Sequence, residues 1–62
     1  MSDWERDVAV AVGHGHSNAE IARRLYISGA TVKTHLSGAQ TKLGARNRVD
    51  VAVLVERAGL LR

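Results

Sequence analysis

The feature that most restricts the fold of this chain is a tight corner in residues 17–36, "SNAEIARRLYISGATVKTHL". Ser17 and Glu20 have the spacing of a capping box, in which the serine hydroxyl accepts a backbone N–H and the glutamate bonds the serine N–H in return. Ser28 is a second candidate N-cap, so only about three residues join the two predicted helices. So short a connection restricts the angle between the helices and leaves one face of the later helix pointing outwards.

Local signals also place the remaining helix ends. Ser2 and Glu5 form a further capping box, and Asn47 with Asp50 marks the start of a last helix. Glycine tolerates the left-handed conformation found at helix C-termini, and the glycines near the expected ends are Gly13, Gly15, Gly44 and Gly59. We therefore predict an all-α domain over residues 1–62 with four helices, at approximately 3–13, 18–25, 29–43 and 48–58.

Length and composition restrict the class of protein. A chain of 62 residues is one domain, and without cysteine it has neither a disulfide nor a thiolate metal site. The longest apolar runs, residues 8–12 and 51–55, are far shorter than the roughly 20 residues of a membrane-spanning helix. We expect a cytoplasmic protein that has no membrane partner, cofactor, metal or small-molecule ligand on this domain.

The charges are unevenly distributed along the chain. The formal net charge is +3, but residues 21–49 contain no acidic residue and hold six cations, Arg23, Arg24, Lys33, Lys42, Arg46 and Arg48. A basic segment between acid-bearing ends is typical of a protein that binds a polyanion. Charge alone leaves open the alternative of a merely solvated positive face.

The predicted third helix has two different faces. Val32, Leu36, Ala39 and Leu43 share one inward stripe, while Ala30, Lys33, Thr34, Ser37 and Thr41 lie on the other side. The outward set is short and polar with a single charge, so it can enter a groove about 12 Å wide, such as the major groove of B-DNA. Ile21, Ala22 and Leu25 of the second helix point inwards, and Ile27 anchors the turn. The pattern predicts a helix-turn-helix with its core at 18–43.

The resemblance to a known family is carried by five segments in order: "ERDV" (5–8), "GHGHSNAEIARRLYIS" (13–28), "TVKTHL" (31–36), "KLGARNR" (42–48) and "AGLL" (58–61). Ala22 and Val32 occupy the small and branched positions of the general helix-turn-helix pattern, and Tyr26 replaces its usual turn glycine. Over nearly its whole length the chain resembles the LuxR/NarL-type (GerE-like) DNA-binding domain of bacterial transcription regulators. It departs from that pattern at Ala9, Ala11 and Gln40, and in having Gly29 and Gly38 within the third helix.

The resemblance implies sequence-specific binding of double-stranded DNA, with helix 29–43 in the major groove. It implies base readout by Lys33, Thr34 and Ser37. Candidate phosphate contacts are Ser17, Asn18, Ser28, Thr31, His35, Lys42 and Arg46, of which Ser17 and Ser28 also serve as caps. His35 has a second interpretation, a structural residue beside the second helix. We expect Arg48 to form a structural ion pair with Glu5, and Trp4 to be exposed or to touch a partner.

The predicted fourth helix is apolar nearly all round, so one face is available to a partner. In the family this implies a homodimer on an inverted repeat of DNA, with helix 48–58 as a dimerisation helix. We assign the contact to Val53, Leu54 and Arg57. A fully internal helix is the alternative.

Three rival functions remain. His14, His16, His35 and Ser17 suggest a metal or nucleophile site, but "HGH" supplies two ligands without a third, so we do not expect an enzyme. A helical protein-interaction module is a second rival. A sigma-factor region 4 domain, which also contacts RNA polymerase, shares the "EIA…L.IS..TVK" core; "KLGARNR" with an extra apolar helix favours the LuxR/NarL type. Within that type we expect the C-terminal domain of a two-component response regulator, and a complete small regulator is the alternative.

Overall fold

In a computed structural model, which describes residues 1–61, the chain is all-α. That range forms four helices and no strand: α1 (Asp3–Gly13), α2 (Asn18–Leu25), α3 (Gly29–Leu43) and α4 (Arg48–Arg57). The predicted fold class is confirmed. The first three helices have the predicted bounds, whereas α4 ends one residue earlier than predicted because Ala58 is its C-cap.

Side-chain caps begin every helix. In α1 the Glu5 N–H donates to Ser2 Oγ at 3.2 Å, and the Ser2 N–H donates to Glu5 Oε1 at 2.9 Å. Ser17 and Glu20 form the same reciprocal pair at the start of α2, with distances of 3.2 and 2.8 Å. Ser28 caps α3 and Asn47 caps α4. Each bond satisfies a backbone N–H that has no partner within its helix, so the predicted N-caps are confirmed.

The core is aliphatic and lies between α1, α3 and α4, with α2 closing it from one side. It contains no aromatic ring, because Trp4 and Tyr26 are both exposed. Leu43 of the predicted inward stripe is half-buried and packs against this core. The nine buried apolar residues are Val8, Ala9, Val12, Ile21, Val32, Leu36, Ala39, Val51 and Val55. Three of them come from α3, so its inner side is fixed to the rest of the domain.

Two alanines of α1 lie in or against the core. Ala9 is fully buried and Ala11 packs against the buried cluster, while Val8 and Val12 supply the larger buried side chains of this helix. The radius of gyration is 10.2 Å, close to the roughly 10.5 Å expected for a compact chain of this length. Within residues 1–61, no helix is long and apolar enough to cross a membrane.

Candidate nucleic-acid interface

The outward face of α3 is exposed as the sequence predicted. Lys33, Thr34 and Ser37 are exposed, and so are Ala30 and Thr41 on the same side of the helix. Within the part of the chain that the structure describes, Lys33 has no acidic partner within salt-bridge distance. The face therefore offers one free ammonium group and short polar side chains on a helix whose opposite side is buried in the core.

Two threonine hydroxyl groups on this face are bonded to the helix itself. Thr34 Oγ1 donates to the Ala30 carbonyl at 3.1 Å, and Thr41 Oγ1 donates to the Ser37 carbonyl at 3.1 Å. A hydroxyl whose hydrogen is used in this way still offers oxygen lone pairs and the adjacent methyl group. Thr34 thus presents an acceptor and an apolar group to whatever contacts α3.

The corner before α3 depends on an unusual backbone conformation. Tyr26 is the C-cap of α2 and lies in the left-handed region, with φ 58° and ψ 42°. Within residues 1–61 it is the one residue other than glycine with a positive φ. For a residue with a Cβ this conformation costs about 1–2 kcal/mol. Its side chain is 95% exposed, so packing does not offset that cost.

Three of the predicted phosphate contacts are hydroxyl groups at helix starts. Ser17 is engaged in the capping box with Glu20, where hydrogen bonds from Ser17 lower the pKa of the Glu20 carboxyl. Ser28 Oγ accepts the Thr31 N–H at 3.1 Å and lies 2.8 Å from Thr31 Oγ1. The start of α2 carries a carboxylate, whereas the start of α3 has none in its first turn. An incoming phosphate is therefore better accommodated at the start of α3 than at the start of α2.

The predicted ion pair between Arg48 and Glu5 is wrong. Arg48 donates through one terminal nitrogen to Asn18 Oδ1 and through the other to the His16 carbonyl oxygen, both at 2.5 Å. The planar guanidinium group can reach two acceptors at once, so it ties the first turn of α4 to the loop that precedes α2. Asn18 is on the predicted phosphate list; its amide oxygen is occupied by Arg48, and its NH₂ group is what remains for another partner.

Glu5 pairs with Lys42 instead. Lys42 Nζ lies 2.6 Å from Glu5 Oε1, and this hydrogen bond, together with the Ser2 N–H, lowers the pKa of Glu5 to about 2. The same carboxylate lies against Gly38 of α3, where a Cβ would be 2.0 Å from Glu5 Oε2, so a larger residue there would displace the Glu5 side chain. Lys42 was predicted to contact phosphate; its half-exposed ammonium group is shared with Glu5, which reduces the charge it offers to a polyanion.

His35 packs against α1. Its ring is stacked on that of Trp4, with centroids 5.7 Å apart and an angle of 6° between the planes. This stacking agrees with the structural interpretation of His35 and gives its ring a partner on α1. Trp4 remains 46% exposed, as expected.

Arg46 is the most available of the predicted phosphate contacts. Its side chain is 89% exposed, and its Nε lies 3.9 Å from Asp50 Oδ2, at the limit of an ion pair. An exposed pair at that distance contributes little and leaves the guanidinium free to move. Arg23 and Arg24, in the last turn of α2, are likewise exposed.

One side of α4 carries apolar side chains that the domain does not cover. Val49 is 72% exposed and Val53 is 38% exposed, and their spacing of four residues places them on one face of the helix. Of the predicted dimer contacts, Val53 and Arg57 are exposed and Leu54 is half-buried. Val49 was missed; its spacing from Val53 is the signal that identifies it. The alternative of a fully internal α4 is wrong.

The histidines of "HGH" do not form a metal site with other residues. The rings of His14 and His16 lie 6.4 Å apart and are tilted relative to each other. Over residues 1–61 the structure contains no group of three or more His, Cys, Asp or Glu side chains suited to hold a metal ion.

Comparison with known proteins agrees with this geometry. A family model described as bacterial regulatory proteins, luxR family (GerE), matches residues 1–55. The chain belongs to this family. The match favours the LuxR/NarL type over the sigma-factor alternative, which shares the central motif but lacks the apolar last helix.

Several curated transcription regulators are similar to the chain. It is 46% identical over 59 residues to a putative HTH-type transcriptional regulator of Mycobacterium bovis, Mb0914c, covering 95% of this chain and 7% of that protein. Over 95% of its length it is 44% identical to the response regulator RamR of Streptomyces coelicolor, and covers 29% of it. It is 38% identical to the transcriptional regulatory protein LnrK of Bacillus subtilis, over 97% of this chain and 27% of LnrK. The chain thus spans less than a third of each of these relatives. No solved structure matches it significantly.

Proposed function

We propose that this luxR-family domain, residues 1–62, binds double-stranded DNA sequence-specifically, with α3 in the major groove, as the effector domain of a bacterial transcription regulator. The observation that carries the proposal is the exposed face of α3. Lys33, Thr34 and Ser37 lie together on a helix whose opposite side supplies three core residues. A helix fixed on one side and polar on the other suits a rigid reader of base edges. Neither the family nor the site supports an enzymatic function.

Each of the three side chains has a role that its chemistry supports. The unpaired Lys33 ammonium group suits the O6 and N7 acceptors of guanine. Thr34 donates its hydroxyl hydrogen to Ala30, so it suits either an amino group of a base or the methyl group of thymine. Ser37 has the shortest reach and suits a contact at close approach.

The phosphate contacts divide into two groups. Arg46, Ser28 and Thr31 are the stronger candidates, because Arg46 is 89% exposed with only a 3.9 Å pair to Asp50, and the start of α3 has no carboxylate in its first turn. The weaker ones lie beside a carboxylate or are engaged with another helix: Ser17 caps α2 together with Glu20, and Asn18, His35 and Lys42 contact Arg48, Trp4 and Glu5. Contacts of this kind set the register on DNA and carry no sequence information.

The exposed face of α4 supports dimerisation on DNA. Val49 and Val53, extended by Leu54 and Arg57, form a small apolar surface that would pair with the same surface of a second copy. A two-fold arrangement would place the two α3 helices about 34 Å apart, which matches one turn of DNA and an inverted repeat. The narrower proposal is a response regulator that acts on DNA in the cytoplasm; the 44% identity to the response regulator RamR supports the first part of it.

A selection experiment tests the proposal directly. Duplexes with a random central region are incubated with the domain, and bound sequences are recovered over several rounds and read. We expect one preferred half-site, for which Lys33→Ala weakens binding by about 1–3 kcal/mol and relaxes the preference at one base pair. Lys42→Ala is the matched control, because it removes the same charge and should leave the preferred sequence unchanged. Recovery of no enriched sequence, or an unchanged preference in Lys33→Ala, would contradict the proposal.

A further inference from the structure

The fold does not explain why position 26, the C-cap of α2, carries a tyrosine side chain. The backbone of Tyr26 is held in a conformation that glycine or asparagine adopts more easily, and its ring is 95% exposed. A bulky side chain that strains the backbone and buries nothing in the free domain indicates a contact made outside it. We propose that Tyr26 binds the sugar–phosphate backbone of DNA at the edge of the groove that α3 enters. This inference rests on the proposed function of the domain.

The position of Tyr26 relative to α3 supports this contact. It lies two residues before Ser28, the N-cap of α3, so its Cα is within about 7.6 Å of the start of that helix. When the first turns of a recognition helix lie in the major groove, the residues just before the helix lie beside one of the two DNA backbones that border the groove. The left-handed backbone at Tyr26 makes the chain change direction there, and the ring projects into solvent at this corner.

The charge around the corner favours DNA over a protein partner. Arg23 and Arg24 are exposed in the last turn of α2, immediately before Tyr26. No acidic residue occurs between positions 21 and 49. An exposed aromatic ring beside two arginines in an acid-free segment suits a surface rich in phosphate.

The chemistry of the contact is specific. The phenol O–H donates to a phosphate oxygen, and the ring covers the apolar face of the neighbouring sugar. Because the phenol is neutral, the contact displaces no counterion from DNA. It strengthens binding to every sequence without changing the salt dependence, unlike a contact from arginine or lysine.

Three variants of the domain, with wild type, test the inference by fluorescence anisotropy on the duplex that wild type selects. Tyr26→Phe removes the hydroxyl alone and should raise Kd about 10- to 100-fold, the range for one hydrogen bond to a charged acceptor. Tyr26→Gly and Tyr26→Asn remove the ring while suiting the backbone, so they should raise Kd further. Their thermal midpoints should equal or exceed that of wild type. The slope of log Kd against log salt should be the same for all four proteins.

The outcomes separate this inference from the proposed function. If wild type binds no duplex, the proposed function fails first. If wild type binds and Tyr26→Phe and Tyr26→Gly bind equally well, the inference is wrong and the function stands. If Tyr26→Gly binds DNA more weakly and also has a lower thermal midpoint, the tyrosine has a structural role. In that case Tyr26→Phe decides, and an unchanged Kd for this variant overturns the inference.

Discussion

Arg46 and Arg48, two residues apart, should have different roles, one in DNA binding and the other in the stability of the fold. Arg48 is half-buried and donates to Asn18 Oδ1 and the His16 carbonyl at 2.5 Å, whereas Arg46 is 89% exposed. We expect Arg48→Ala to destabilise the fold and Arg46→Ala to weaken DNA binding. The pair is a matched test, because both changes remove the same side chain, from the two positions that flank Asn47, the N-cap of α4.

The size of the Arg48 effect follows from its contacts. A hydrogen bond to a charged group contributes about 1.5–3 kcal/mol, so two give about 3–6 kcal/mol. Ordering the arginine side chain costs about 2 kcal/mol, and the partial access of water reduces the gain further. We expect Arg48→Ala to cost about 2–3 kcal/mol. In a domain whose core nets about 3–5 kcal/mol, this lowers the thermal midpoint by on the order of 10–20 °C.

Circular dichroism during thermal and urea unfolding measures the first effect. Arg48→Lys should fall between wild type and Arg48→Ala, because an ammonium group cannot reproduce the planar fork. Arg46→Ala should unfold within about 0.5 kcal/mol of wild type. Its DNA affinity should fall on every sequence, and the salt slope should decrease by about one unit. If Arg48→Ala unfolded like wild type, the assignment of its two hydrogen bonds as a stabilising tie would be refuted.

Three further predictions follow from the caps, the ion pair and α4. The folded-state pKa of Glu5, about 2, lies below its ordinary value of 4.5, so the stability that Glu5 contributes is present above pH 4.5 and is lost as the pH falls towards 2. Glu5→Gln should therefore have a lower thermal midpoint than wild type at pH 7, and its midpoint should fall less on acidification to pH 3. The pH dependence of stability that is due to Glu20 should remain in both proteins. Parallel curves of thermal midpoint against pH for the two proteins would argue against the Glu5–Lys42 pair. Val53→Asp, alone or with Val49→Asp, should reduce the number of copies bound to an inverted repeat from two to one. Analytical ultracentrifugation measures this, with a half-site duplex as the control. A two-copy complex that persists would exclude this face of α4 as the dimer contact. Ser28→Asp retains a good N-cap and should melt like wild type, but its charge should weaken DNA binding more than about tenfold; unchanged affinity would remove Ser28 from the phosphate contacts.

Arg48, Lys42 and His35 have partners that interpretation of the sequence did not identify. Each was assigned a partner or role from its place in a motif, yet each meets a residue more than about 30 positions away, which motif spacing does not specify. Glu5 illustrates the reason. Arg48 was its predicted partner, yet Glu5 pairs with Lys42 and its carboxylate lies against Gly38, where a Cβ would be 2.0 Å from Oε2. Such choices arise from helix packing, which involves the whole chain.

The amino-acid sequence by itself determined where the helices begin and end and which face of α3 is polar. These features depend on caps and turns within four residues and on a 3.6-residue period, so they can be identified from short segments. Tertiary structure decided which groups remain free to bind. It bonded Arg48 to the loop before α2, paired Lys42 with Glu5, stacked His35 on Trp4, and left Lys33 and Tyr26 exposed. The physical reason is that a side chain's availability depends on what packing brings beside it, and short-range sequence patterns do not contain that information.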